Sequence, residues 1–222
     1  MTKIVDFDSP NLIASILDAT KHGPVVVQFT TVFGLLARGT TAGAAQLDAA
    51  KIRAPGKTYG SLMGNPERFT GLAEDLPNRL LTHVRNISEC FFRVRIGPTD
   101  LQTQTVRQGT HQGLLLPGKY NEVMRALEDA TDPDESLYGG KHYTAPIASS
   151  WNLSQDPAGS ITTRDRALAL AKARGIRLVV LGPSAGTVSY PILQLNREHI
   201  QVRRRGPGLT AILQELGAPD VG

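Results

Sequence analysis

The sequence predicts an α/β (α+β) chain, a twisted mixed sheet with flanking helices in a single domain spanning residues 1–222. Two patterns carry this prediction. Amphipathic stretches at helical spacing alternate with short β-branched runs along the whole chain, and no repeat, linker or low-complexity segment interrupts them. Size agrees, because 222 residues with 41% hydrophobic and 20% charged side chains suffice to bury one large core.

The elements follow in order. In "DSPNLIASILDATKHG", Ser9 suits the N-cap, Pro10 the first helical position and Gly23 the stop, with Leu12, Ile13, Ile16 and Leu17 forming the apolar face. "PVVVQF" reads as a buried strand and "TTAGAAQLDAAK" as a second helix, with a turn between them. Asn65 and Pro66 open a helix through "ERFTGLAEDL", "ECFFRVRI" reads as a strand, and Tyr120, Val123, Met124 and Leu127 give "KYNEVMRALEDA" helical spacing. "DPDESLYGG" is a loop by its Pro, Gly and acidic content. "APIASSWNLSQDPAG" is a short strand entry followed by small polar residues. Thr162 or Thr163 caps "RDRALALAKARG", "IRLVVLG" is a strand, "YPILQL" and "HIQVRR" are extended, and "LTAILQELG" is a final helix.

Composition narrows the function. A net charge of +4 and a pI near 9.4 favour a polyanionic ligand. Cys90 is the only cysteine, so neither an intrachain disulfide nor a cysteine metal site can form. The first residues, "MTKIVDFDSP", lack an apolar signal core, and no run approaches the roughly 20 apolar residues of a membrane span. The expectation is a cytoplasmic protein without a membrane partner. His22, His83, His111, His142 and His199 show no metal-binding spacing, and no Walker A, GxGxxG or GxSxG motif occurs.

Two clusters stand out. "KIRAPGK" gathers Lys51, Arg53 and Lys57 where a helix is about to break, a pattern that ordinarily marks a solvated helix end. "SSWNLS" places Ser150, Asn152 and Ser154 on one face if extended, although Ser and Asn at such spacing more often bond their own backbone in a turn. Together the two clusters offer cations and neutral donors that a triphosphate requires. "RRR" at Arg203 to Arg205 reads as a solvated edge, and "FFRVRI" interleaves rings and bases.

The order of "TTVFGL", "KIRAPGK", "PIASSWNLS", "YPILQL" and a late basic "RRG" resembles the YrdC-like family, which includes the threonylcarbamoyl-adenylate synthases of tRNA modification. The resemblance spans roughly Ile4 to Leu216 and implies a basic concave cleft on the sheet. Thr31, Val32, Gly34 and Leu35 keep the first motif, Lys51 and Arg53 match its K-x-R, and Ser149, Ser150, Asn152 and Ser154 match T-S-A-N-x-S. The resemblance thus implies an ATP-binding set of Lys51, Arg53, Lys57, Ser150, Asn152, Ser154 and Arg204, with Thr31 and Ser149 facing substrate. It assigns no catalytic residue and no protein metal ligand. The implied reaction is nucleotidyl transfer from ATP, with Mg²⁺, to a carbamate made from bicarbonate and an amine or amino acid.

Departures fall on the amino-acid side. Gln28 and Phe29 stand for the family's Pro-Thr, Thr30 for its acid, Leu62 for a His and Leu115 for an Arg, while "LPNRLLT" is the remnant of W-P-G-P-x-T. An acceptor other than threonine is therefore expected, unless Arg107 or His111 restores the lost contacts from a neighbouring loop. The setting is tRNA modification or specialised metabolism. The alternative is a non-catalytic YrdC-like module that binds nucleotide or RNA, and duplex RNA binding is expected to be weak and strongly salt-dependent.

Overall fold

A computed structural model of the chain describes residues 1–51, 56–132, 137–152, 159–183, 186 and 188–218. The first half contains β1 (Lys3–Asp6), α1 (Leu12–Ala19), β2 (Val25–Gln28), β3 (Phe33–Ala37), α2 (Thr41–Lys51), β4 (Gly60–Met63), α3 (Pro66–Leu72), α4 (Asn78–Asn86) and β5 (Phe91–Arg95). The second contains β6 (Thr110–Leu115), α5 (Lys119–Asp129), β7 (Ile147–Ser150), α6 (Arg164–Ala173), β8 (Leu178–Leu181), β9 (Ile192–Leu195), β10 (Ile200–Arg204) and α7 (Leu209–Glu215). All ten strands form one mixed sheet in the order β1-β8-β2-β3-β7-β4-β6-β5-β9-β10.

Strand alternation gives the sheet two faces, and each grows its own core. On one face Val26, Phe33, Leu35, Ile147, Phe92, Val94 and Leu193 pack under α2, α3, α4, α6 and α7. On the other, Val25, Val27, Leu36, Leu62, Leu114 and Val180 pack under α1 and α5 through Leu12, Ile16, Val123, Met124 and Leu127. That second cover is partial. Towards β5, β9 and β10 the same face carries Arg93, Arg95, Gln194 and Arg203 instead of apolar residues. A concavity therefore opens where the roof of α1 and α5 ends.

Several sequence expectations need correction. The first helix begins at Leu12, because Ser9 builds a turn ahead of it: its carbonyl accepts Leu12 N–H and its hydroxyl accepts Asn11 N–H at 3.4 Å. The helix opened by Asn65 ends at Leu72, although Asn65 does cap it by accepting from Glu67 and Arg68 N–H. Between the first strand run and the second helix lies a full strand, β3, and not merely a turn. β3 reads "FGLLA" and is buried at every position, so it shows no alternation. β1, β4, α4 and β6 were likewise not foreseen.

Among the described residues no helix is long and apolar enough to cross a membrane. Nor does any group of three or more His, Cys, Asp or Glu side chains gather to suit a metal ion. Buried Glu128 on α5 accepts the backbone N–H groups of Gly64 and Asn65 and pairs with Arg68 at 3.2 Å, fixing the entry to α3.

His111 lies inside the first core, on the face of β6 away from the concavity. Its Nδ1 meets the Thr105 carbonyl at 2.8 Å, which accepts only, so Nδ1 carries the proton and Nε2 accepts from the Ser61 hydroxyl at 2.9 Å. Burial pushes its pKa from 6.5 down to about 4. The depressed folded value makes this contribution to stability complete above pH 6.5 and progressively lost as pH falls towards 4, by about 3 kcal/mol in all. Denaturant melts between pH 7 and pH 4 should show this decline, and His111→Gln should flatten it. An unchanged slope in that variant would place the acid sensitivity elsewhere.

Candidate functional site

Lys51 is the last residue of α2, and its side chain is buried, with the residue 5% exposed. The helix packs on β3 and β7, which carries the ammonium to the end of β7. There Nζ donates to the Ser150 carbonyl, to Ser150 Oγ at 3.4 Å and to Asn152 Oδ1 at 3.0 Å. Ser150 Oγ in turn donates to Asn152 Oδ1 at 2.8 Å. The solvated-helix-end reading thus fails for Lys51. The turn reading for the serines holds in part, since Asn152 N–H bonds the Ser150 carbonyl at 3.1 Å just after the strand ends. What results is a buried cation framed by short neutral acceptors.

Ser150 also lines a pocket on the other side. Phe29, Leu62, Phe91, Leu114 and Tyr190 wall it, with Ser149 and Ser150 at one margin. Phe29 owes its place to Gly34: a Cβ there would stand 2.5 Å from the Phe29 ring, so only glycine lets the ring lie on the strand. Phe29 then meets Tyr120 with ring centres 5.9 Å apart, and Tyr120 donates its hydroxyl to the Gln28 carbonyl at 2.8 Å. Two of the three apolar replacements noted in the sequence, Phe29 and Leu62, face this pocket. Leu115 does not. It packs against the first core, and its carbonyl accepts Glu89 N–H at 2.8 Å.

Behind the pocket residue Tyr190 stands a carboxylate, Glu89, that sequence reasoning missed. Thr30, the position lacking the family's acid, donates to Glu89 Oε1 at 2.6 Å and lies 2.8 Å from the Tyr190 hydroxyl. Glu89 holds a left-handed backbone with φ of 62°, uncommon without glycine. No local motif signals it, since residues 30, 89 and 190 meet only in the fold. Thr31 is buried with no hydrogen bond of ordinary geometry at Oγ1, yet it lies near the Tyr190 hydroxyl, easing the effect of the burial that raises that phenol's pKa.

The structure brings Lys51, Ser150, Asn152 and Ser149 into one neighbourhood. Arg53 and Ser154 lie outside the described residues. Lys57 is exposed beyond the end of α2. Arg204 donates Nε to the Tyr190 carbonyl at 2.8 Å, so it braces the pocket wall instead of joining Lys51. Of the two groups offered as replacements, His111 is in the core, and Arg107 lines a separate basic cleft towards β5 and β10.

No protein-family model matches the chain, and no curated protein matches it in sequence. Solved structures do match in shape. E. coli YciO superposes with a TM-score of 0.66 at 13% identity, covering 93% of this chain and 97% of YciO. P. abyssi Sua5 complexed with L-threonine gives 0.71 at 16% identity over 98% of this chain and 61% of Sua5. Full-length HypF in its phosphate- and nucleotide-bound form gives 0.65 at 16% identity over 87% of this chain and 28% of HypF. The chain thus has the YrdC-like fold and spans about three fifths of Sua5 and about a quarter of HypF. At these identities the likeness is one of fold.

The Gly34–Phe29 contact is directly testable. Gly34→Ala should destabilise the protein by about 1–3 kcal/mol through overpacking, and Phe29→Leu in the same chain should recover part of the loss. Strict additivity of the two changes in urea titrations would show that the ring does not rest on Gly34.

Proposed function

We propose that the protein is an ATP-dependent adenylate-forming enzyme that activates a carbamate made from bicarbonate and an amine, with an acceptor other than threonine. The observation that carries this reading is the Lys51–Ser150–Asn152 cluster beside an apolar pocket. A neighbour solved with L-threonine and another in a phosphate- and nucleotide-bound form support a ligand cleft in this fold.

In this reading Lys51 turns its ammonium from Asn152 to a phosphate oxygen, while Ser150 and Asn152 hydroxyl and amide groups orient the nucleotide. On the sequence resemblance, Arg53, Lys57 and Ser154 complete the phosphate set, while Arg204 holds the pocket wall through the Tyr190 carbonyl, and Ser149 and Thr31 face the acceptor. Among the described residues the cluster contains no carboxylate for Mg²⁺, so the ion would arrive bound to the triphosphate, where it would neutralise charge. The chain's own contribution is orientation and electrostatic stabilisation, placing the carbamate oxygen in line with the α-phosphate and exchanging water for fixed donors. Phe29 and Leu62 offer no partner to a threonine hydroxyl on their side of the pocket, and the apolar surface they present favours an acceptor with an apolar body.

The second reading is a nucleotide- or RNA-binding module without catalysis. The positive charge of the open, arginine-bearing half of the concave face is the observation on its side, through attraction of phosphates in general. Pyrophosphate release from ATP and bicarbonate across a panel of amines separates the two.

Lys51→Ala should weaken ATP binding by about 1.5–3 kcal/mol in calorimetry, the value of a charge-assisted bond. Unchanged affinity would remove Lys51 from the site. In single-turnover assays an amine with an apolar body should give more acyl-adenylate than threonine, whereas robust threonylcarbamoyl-adenylate at ordinary threonine concentrations would return the protein to the family's usual substrate.

A further inference from the structure

The uncovered half of the second sheet face is a cleft of about 650 Å³ bounded by Arg93, Arg95, Arg107 and Arg203. Arg93 and Arg95 are two apart on β5 and point the same way, about 7 Å from each other. Arg203 comes from β10 and Arg107 from the connection between β5 and β6. That connection enters β6 through a two-residue turn, with Arg107 and Thr110 exchanging both backbone hydrogen bonds at 2.9 Å and positive φ at Gln108 and Gly109. Gly109 is required there, because a Cβ would stand 2.3 Å from the Gly97 and Pro98 carbonyls. The turn therefore holds Arg107 across from the strand arginines.

Among the described residues no carboxylate lines the cleft and none of the four arginines is in an ion pair. Their side-chain hydrogen bonds go to neutral oxygens: Arg93 to Gln112 Oε1 at 2.9 Å, Arg95 to the Gly97 carbonyl at 3.3 Å and Arg203 to Gln194 Oε1 at 2.8 Å. The pKa of Arg93 is lowered first by burial and then by Arg203 and Arg107. Four guanidiniums held together in this way repel one another, and a multiply charged anion relieves the repulsion.

We propose that this arginine cleft is a binding site for a free oligophosphate of two or three phosphate groups, separate from the Lys51 cluster. The lining favours such an anion over a nucleic acid strand. It holds Arg, Thr, Gln and Asn but no aromatic ring, and single-stranded nucleic acids are held through bases stacked on rings. The four charges also converge on one concavity instead of following a track. Guanidiniums grip phosphate oxygens in pairs, and the flanking Thr and Gln groups donate to those that remain.

The proposal does not depend on the nucleotide reading, and the test keeps them apart. Inorganic triphosphate is titrated calorimetrically into wild type, Lys51→Ala and the double variant Arg93→Gln with Arg107→Gln, at low and at moderate salt. Saturable binding should persist in Lys51→Ala, weaken about tenfold or more in the double variant, and fall with salt. The ligand-free double variant should melt no lower than wild type, since it relieves repulsion. Should it fold poorly, Arg203→Gln on the last strand serves instead and should weaken binding in the same direction. Equal affinity in wild type and the arginine variants overturns the site. So does tighter binding of oligonucleotides that rises with their length, which would make the cleft a nucleic-acid surface.

Discussion

Lys51 brings an ammonium group to a position where only a twentieth of the residue's surface meets solvent. An unpaired charge there would cost far more than the fold's margin of stability, so every proton of that group needs an acceptor. The Ser150 carbonyl and hydroxyl and Asn152 Oδ1 supply them. For them to do so, β7 has to end at Ser150 and the chain has to bend, so that Asn152 turns back instead of continuing the strand. The C-terminal end of α2 adds its partial negative charge to the same point. Helix, strand end and bend are thus fixed relative to one another by a single cation, and the margin they form borders the apolar pocket through Ser150.

The rest of the cleft follows from unequal cover over a sheet of ten strands. Helices α1 and α5 reach only part of the second face, and the side chains change character where they stop, from Leu62, Leu114 and Phe91 to Gln112, Arg93 and Arg95. Close packing relies on glycine at two strand positions, one on each face of the sheet. Gly34 admits the Phe29 ring and Gly113 admits the Phe69 ring, each where a Cβ would clash. The apolar pocket and the basic cleft are neighbouring consequences of one geometry.

Much of the scaffold was legible in the sequence because its helices are two-sided. Tyr120, Val123, Met124 and Leu127 were read as one face of a helix and are all buried. Strands buried on both faces gave no such signal, as β3 and β4 show. The YrdC-like fold, in contrast, was recoverable from short motifs in order, and the structural neighbours bear it out at 13–16% identity. The motifs also paired Lys51 with Ser150 and Asn152 across about a hundred positions, which the hydrogen bonds then realise. Glu89 beside Thr30 and the meeting of Arg93, Arg107 and Arg203 had no local pattern, since each depends on strand order. His111 misled for the same reason: alternation along β6 turns it into the core.

The central claim is that the buried Lys51 cluster is where a nucleotide's phosphates are received. A crystal structure with an ATP analogue blocked against cleavage between its α- and β-phosphates tests this most directly. The account predicts phosphate oxygens within hydrogen-bonding distance of Lys51 Nζ and Ser150 Oγ, with Asn152 released from the ammonium. A nucleotide bound elsewhere, with Lys51 still closed on Ser150 and Asn152, would contradict it.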